Sequence, residues 1–370
     1  MPTLPSGAGS RVGLPPSPGV GDGVGTSSVV GFDVPTVEAW LSTVTDAVPP
    51  IAWERLPGGH SNLTYELVDS RGRHLVIRRP PQGDLLPKAH DMWREFRIIK
   101  GLWPTAVPVA EPVAFCDDRE IADTHFYVMG KVDGAALYTA ADAGRWLDEP
   151  SRRQAGHSFI DVLAELHSID PGSVGLDGLG RPDGYVARQL TTWYGSWTAS
   201  VQHAQLDDPR VHDLYSLLSS QAPEQGPARV VHGDYGPHNC LFSQSGAVTA
   251  VLDWEIATLG DPLADLAYSI NAWSEPGDQL VAGLDPPTAL MGFPSRDELV
   301  ARYATATGAD LSRFAYYRCF NSFKTACILH GVYARYQAGQ KSTDGVDLDV
   351  LMTRIGAALD LAEAQSAELD

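Results

Sequence analysis

The chain has 370 residues, 44% hydrophobic and 20% charged, with a formal net charge of −19 at pH 7. That length can bury a large core, in two or three domains or in one two-lobed unit. The excess of 46 acidic over 27 basic residues argues against a nucleic-acid binder, which needs a basic face, and against docking on anionic lipid.

Residues 1–30 are rich in Gly, Pro and Ser and read as a disordered tail. One basic residue, Arg11, and no apolar segment make it unlike a secretory signal, and no run of 18 apolar residues reads as a membrane span. A helix is expected to start near Pro35, with Val37, Trp40, Leu41 and Val44 at helical spacing. "SNLTYELVD" and "RHLVIRR" flank "SRG" at 70–72, a hairpin signal. "HDMWREFRIIKGLW" (90–103) predicts a helix with Trp93, Phe96, Ile99 and Leu102 along one face. "THFYVMGKVDG" (124–134) holds an apolar strand ending at Gly130 or soon after.

Residues 31–130 therefore read as a small strand-rich lobe, and 131–370 as a larger helical one. Helices are predicted over 150–168, 183–202, 207–220, 295–307, 310–339 and 345–368. The exception is 228–252, where "ARVV", "CLF" and "AVTAVL" read as short strands. The four cysteines, Cys116, Cys240, Cys319 and Cys327, form no CxxC pair and read as reduced thiols of a cytoplasmic protein. The acids are spread along the chain, so the charge reads first as solubility, though it is compatible with a cationic substrate or a divalent metal.

"VVHGDYGPHNCLF" (230–242) crowds His232, Asp234, His238 and Asn239 between two apolar runs. Such a stretch can cap its own backbone, hold a metal or form a catalytic loop. "CLF" and "TAVL" (249–252) are joined by a turn at Ser243–Gly246, so Asn239 and Asp253 are expected to face each other at the hairpin's open end. Facing residues there have Cα atoms roughly 4.5–5.5 Å apart. An amide oxygen and a carboxylate then converge, with Asp234 on the loop leading in. Two such oxygens suit Mg²⁺, and the remaining carboxylate can take a proton from an attacking hydroxyl, a set that suits phosphoryl transfer.

H-G-D-x-x-x-x-N, followed by a strand ending in D-W-E, resembles the aminoglycoside phosphotransferase family of kinase-like enzymes, and "LDWEIATLGDPLADLAY" (252–268) follows that family's pattern closely. "GGHSNLTYEL", "LVIRRPPQGDLLPKAHDMWREFRIIK", "PVAEPVAFCDD", "FYVMGKVDG" and "ILHGVYARY" look like the branch whose kinase-like domain is also found fused to acyl-CoA dehydrogenases. The resemblance implies an α+β, two-lobed, protein-kinase-like fold. It implies Asp234 as the base, and Asn239 and Asp253 as holders of Mg²⁺. Gly58, Gly59, Ser61 and Asn62 would lie over the phosphates of ATP or GTP. Met129, Gly130 and Val132 would form the connector, with the Gly130 carbonyl and Val132 amide pairing with adenine. Glu95 would pair with a basic residue on the preceding strand.

The family pattern has Lys on that strand; here the strand reads "VIRR", and its register selects Arg78. Arg binds phosphate well but is longer than Lys. Lys131 stands in the connector where an acid is expected. The implied partners are a nucleoside triphosphate and a small hydroxylated acceptor: an aminoglycoside, a hydroxyacyl-CoA or another metabolite. A CoA ester calls for basic groups, and the sequence offers Arg78, Arg79 and Lys88. The alternative is a nucleotide-binding pseudokinase acting as a regulatory module. His232 reads as a loop brace, Asp261 and Asp265 as helix caps or braces, and His167 as a helix-end residue. "WYGSW" (193–197) reads as core before it reads as a pocket wall, "CFNSFKTACILHGVYARY" as a packed helix, and His238 as either facing substrate or exposed.

Overall fold

The structure, a computed structural model, describes residues 29–56, 62–82, 91–281, 284–340 and 346–369. Helix α1 (Val34–Val44) is capped by Asp33, whose carboxylate accepts from the Thr36 amide at 3.3 Å. Val37 and Leu41 are buried as the spacing predicts, but Val44 is 43% exposed because the helix ends there and the chain turns away at Thr45.

Strands β1 (Ala52–Arg55), β2 (Leu63–Val68), β3 (His74–Arg79), β4 (Pro112–Cys116) and β5 (Phe126–Gly130) form one antiparallel sheet in the order β1-β2-β3-β5-β4. The β2–β3 turn is held by Asp69, whose Oδ1 accepts from the Arg71 and Arg73 amides at 2.9 and 2.8 Å. Gly72 sits in that turn at φ +79°, a conformation that favours glycine.

Helix α2 (Met92–Leu102) is capped by Asp91 and buries Phe96, Ile98, Ile99 and Leu102. Trp93, expected on that buried face, is 47% exposed; its ring packs edge-on to Phe115 of β4 at 4.9 Å instead.

The rest is mostly helical: α3 (Ala140–Trp146), α4 (Glu149–Ser168), α5 (Tyr185–Ala204), α6 (Pro209–Ser220), α7 (Pro262–Ala272), α8 (Arg296–Thr307), α9 (Phe314–Gln337) and α10 (Leu348–Ser366). Among these α7 lies outside the helical ranges that the apolar pattern predicts, although Asp261–Pro262 reads as its start, and α3 is missed altogether. It is short, and its signal is a capping box between Thr139 and Asp142. Four short strands are set into this lobe: β6 (Arg229–Val231), β7 (Cys240–Phe242), β8 (Val248–Val251) and β9 (Thr258–Gly260). β7 pairs with β8 as a hairpin, whereas β6 pairs with β9.

Three buried clusters hold these parts together. One fills the space between α1 and the sheet, with Phe32, Leu41, Ile77 and Phe126. One lies among α5, α6, α7, α9 and α10, with Trp197, Leu214, Phe320 and Ile355. The third joins the lobes: Phe96, Ile99 and Leu102 of α2 share it with Phe159 and Leu163 of α4, and with Tyr235 and Trp254 beside the hairpin. Side chains this size contribute roughly 1.5–3 kcal/mol each when fully buried. The shared core thus fixes α2 and the hairpin relative to each other. No helix among the described residues is long and apolar enough to cross a membrane. All four cysteines are buried and free.

Candidate active site

The loop after β6 is built by an unusual density of hydrogen bonds. Gly233 turns the chain at φ +86°, and a Cβ there would meet Ile256 at 3.1 Å. His232 is fully buried: its Nε2 donates to the Leu252 carbonyl at 2.8 Å, and its Nδ1 accepts from the Asp234 amide at 3.3 Å. It braces the loop, as the sequence suggests.

Helix α7 clamps the same loop from behind. Asp261 caps that helix, accepting from the Leu263 amide at 3.1 Å, and also accepts from the Tyr317 hydroxyl. Asp265 accepts from the His232 amide at 2.6 Å and the Gly233 amide at 2.8 Å. Burial pushes the Asp265 carboxyl up, but His167 and the Gly233 amide outweigh this and hold it below the ordinary range. His167, at the end of α4, bonds the Tyr303 hydroxyl at 2.7 Å and lies 3.4 Å from Asp265. Ser269 donates to the Tyr235 carbonyl at 2.8 Å.

Asp234 sits at the tip of this loop, partly exposed. Its Oδ1 accepts from the Tyr268 hydroxyl, a short contact, and its Oδ2 accepts from Asn239 Nδ2 at 3.1 Å. His238 Nε2 lies 3.4 Å from Oδ2. Burial pushes the Asp234 carboxyl up; hydrogen bonds with His238 and Tyr268 outweigh it and hold the group below the usual carboxylate range.

Asn239 also donates to the Asp234 carbonyl at 2.9 Å. Its Nδ2 is thus committed to Asp234, which turns Oδ1 away as an acceptor. The hairpin register differs by one residue from the expected one. Cys240 faces Val251, and the Leu252 amide donates to the Asn239 carbonyl at 2.8 Å, so Asn239 lies opposite Leu252. Asp253 is the next residue, at φ +61°, an uncommon conformation for a non-glycine residue. A single carboxylate with an amide oxygen suits a hard divalent cation whose other ligands are phosphate oxygens and water. Among the described residues no group of three or more His, Cys, Asp or Glu is placed to hold a metal alone.

Arg78 reaches this point from β3. Its Nη2 donates to Asp253 Oδ1 at 2.9 Å and its Nε pairs with Glu95 Oε2 at 3.1 Å. Tyr127 donates to the same Glu95 oxygen at 3.0 Å. Burial pushes the Glu95 carboxyl up to about 7, against the pull of Arg78 and Tyr127. The neighbouring Arg79 points to the other face, where it pairs with Asp123 at 2.8 Å.

In the connector, Met129 and Gly130 end β5, and the Gly130 amide donates to the Glu111 carbonyl at 2.9 Å. Val132 follows, outside any strand or helix. Lys131 turns away to Glu66, 2.7 Å distant. Asn62 is buried at the start of β2. Gly58, Gly59, Ser61 and Lys88 lie outside the described residues. "WYGSW" is core: Trp197 is fully buried and stacks on His330 with ring centroids 3.8 Å apart, and Tyr194 stacks on Tyr215 at 3.9 Å.

Sequence reasoning missed two side chains at Asp234 and a cavity beside it. Tyr268 touches the carboxylate directly. Lys324 of α9 is buried, with Nζ 3.4 Å from the Gly233 carbonyl and 5.4 Å from the centre of the Tyr268 ring. Burial pushes its ammonium pKa down. The available signal was Asp265, Tyr268 and Ser269 in an apolar helix, polar residues at i, i+3 and i+4 on one face. Beyond Tyr268 opens a cavity of about 640 Å³ between α7, α9 and α10, lined also by Arg296, Arg318, Arg354, Leu280 and Leu361.

The model of the phosphotransferase enzyme family matches residues 52–317. Acyl-CoA dehydrogenase family member 11 of Gallus gallus is 34% identical over 327 residues, which is 85% of this chain and 41% of that protein. The chain thus spans about two fifths of that curated relative. A Ralstonia eutropha protein provisionally named an aminoglycoside phosphotransferase superposes with a TM-score of 0.76 at 27% identity, covering 91% of this chain and 99% of the other. Spectinomycin phosphotransferase, solved in complex with ADP and spectinomycin, shares the fold with a TM-score of 0.59 at 11% identity, covering 90% of this chain and 98% of the other. With the family model covering both the sheet and the loop after β6, the chain belongs to the phosphotransferase enzyme family.

Proposed function

We propose that this chain transfers the γ-phosphoryl of ATP or GTP to a hydroxyl of a small acceptor. The observation that carries this reading is the meeting of Asp234, Asn239, Asp253 and the Arg78–Glu95 pair at one cleft, delivered by the β6–β7 loop, the β7–β8 hairpin, β3 and α2. Positioning and charge then supply most of the catalysis.

Asp234 is the base: a carboxylate held ionised at the loop tip, ready to take the acceptor's hydroxyl proton as the new O–P bond forms. Arg78, braced by Glu95, reaches for the nucleotide phosphates. Met129, Gly130 and Val132 receive the adenine or guanine ring. Asn239 and Asp253 would hold Mg²⁺, which supplies charge neutralisation at the phosphates when bound.

The cavity beside Tyr268 suits the acceptor. Arg318 and Arg354 line it beside Arg296, whose guanidinium is paired with Asp278 and Glu275, and Leu280 and Leu361 add apolar surface. That wall favours an anionic, partly apolar acceptor over a polycationic aminoglycoside, in a chain whose overall net charge is −19. A hydroxyacyl-CoA has both properties. The acyl-CoA in the Gallus gallus relative's name points the same way.

The test is phosphoryl transfer from ATP and GTP with Mg²⁺ across aminoglycosides, amino alcohols, sugars and hydroxyacyl-CoA esters. Transfer to hydroxyacyl esters is the expected result. Transfer to aminoglycosides alone would overturn the acceptor assignment, and no nucleotide binding by calorimetry would overturn the kinase reading.

A further inference from the structure

Helix α7 meets the catalytic loop rung by rung. Asp265 takes the amides of residues 232 and 233, Tyr268 takes the carboxylate of Asp234, and Ser269 takes the carbonyl of Tyr235. Two of these rungs bind backbone and hold the loop's shape. The middle one binds the side chain assigned as the base, and at Oδ1. Its partner oxygen, Oδ2, is already engaged by Asn239 at 3.1 Å.

A general base must come within about 2.6–3.2 Å of the proton that it takes. The Tyr268 hydroxyl takes one lone pair of Oδ1, so an attacking hydroxyl has to compete with it for that oxygen. The Tyr268 ring is also part of the wall of the 640 Å³ cavity, together with Asn321 and Thr325 of α9. Lys324 lies between those two residues in sequence, buried behind the ring, and ties Tyr268 to the Gly233 carbonyl through its ammonium.

We propose that Tyr268 is a specificity-determining residue that discriminates the acceptor from water: its hydroxyl covers Asp234 Oδ1 until an acceptor filling the cavity displaces the ring. This rests on the phosphotransferase reading above. In the reaction it suppresses, a water oxygen attacks the γ-phosphorus, the bond to the bridging oxygen of the β-phosphate breaks, and the water proton passes to Asp234. The products are the nucleoside diphosphate and inorganic phosphate. Water is small enough to reach the cleft without the cavity being filled, so steric selection alone does not reject it. A hydroxyl on the base does. Tyr268 is itself a poor nucleophile, because burial and the adjacent Asp234 push its phenol far above the ordinary value. Lys324 acts through Tyr268 and the loop, as a positioning residue that holds the ring over the base.

The test needs no knowledge of the acceptor. Phosphate release from MgATP and MgGTP without acceptor is measured for the full chain, Tyr268→Phe, Lys324→Met, Asp234→Asn and Tyr268→Phe with Asp234→Asn. Nucleotide affinity is measured on each by calorimetry. Tyr268→Phe is expected to raise acceptor-independent hydrolysis about tenfold, the worth of one competing hydrogen bond, with nucleotide affinity unchanged. Lys324→Met should move hydrolysis in the same direction by less, and adding Asp234→Asn should abolish the gain. A purely structural Tyr268 would give the opposite sign, slower turnover in every assay. Hydrolysis by Tyr268→Phe at or below the wild-type rate, with affinity intact, overturns the inference. If Tyr268→Phe no longer binds nucleotide, Lys324→Met decides in the same way. If the wild type binds no nucleotide, the phosphotransferase reading itself falls and the inference with it.

Discussion

Arg78 holds two carboxylates at once, Glu95 through Nε and Asp253 through Nη2. A lysine has one nitrogen and no fork, so Arg78→Lys must give up one partner. Nucleotide affinity, measured by calorimetry, should fall about tenfold on losing one charge-assisted hydrogen bond. Glu95 makes a pH prediction with a definite sign. Its carboxyl is raised from 4.5 to about 7 in the fold, so the folded chain holds a proton that the unfolded chain has released. Its contribution to stability is fully present below about 4.5 and is lost as pH rises to about 7. Glu95→Gln removes that dependence. The unfolding free energy of the variant relative to wild type, from urea titrations, should rise between pH 5 and 7 and level off above, a difference on the order of 3 kcal/mol at the plateau. A flat difference across that range would contradict the burial account. At this scale Arg78 was legible, because the period of two along β3 sends Arg78 and Arg79 to opposite faces. Tyr268 was not, because no feature of its neighbours in sequence says that residue 234 lies under it.

The β6–β7 loop owes its shape to α7 more than to its own residues. Asp265 is the acceptor for the buried His232 amide and the half-buried Gly233 amide, and its loss leaves both without that partner. Asp265→Ala should cost on the order of 3 kcal/mol in urea unfolding. It should also lower phosphoryl transfer while nucleotide affinity changes little, since Arg78 and the connector are untouched. Asp265→Asn keeps one acceptor oxygen and should fall between. The strand types in 228–252 were legible from apolar runs, but the partners were not. β6 pairs with β9, sixteen residues beyond the hairpin's first strand, because pairing depends on where the segment after β8 brings the chain back before it enters α7. The one-residue offset at Asn239 has a local cause: the register shifts between Leu241 and Phe242, which symmetric counting about Gly246 does not foresee.

Across the whole molecule, charge separates into two populations. The acids are spread over the chain, while Arg296, Arg318 and Arg354 gather at the cavity behind Tyr268. Burial lowers the pKa of Arg318, whose Nε donates to Asn271 at 3.1 Å, so this guanidinium gains from an anionic partner. Arg354→Ala should raise KM for a hydroxyacyl-CoA about tenfold and leave KM for nucleotide unchanged, and added salt should mimic it. The two-lobed plan was legible from composition, since strand signals end near 130 and helical periods dominate after it. The basic cavity was not, because its arginines come from three helices far apart in sequence. The claim on which the rest depends is that Asp234 is the base. Steady-state transfer to the acceptor by Asp234→Asn, with nucleotide affinity as control, tests it most directly. A loss in kcat of about 10²-fold or more with nucleotide affinity intact is the predicted result; transfer at the wild-type rate would contradict it.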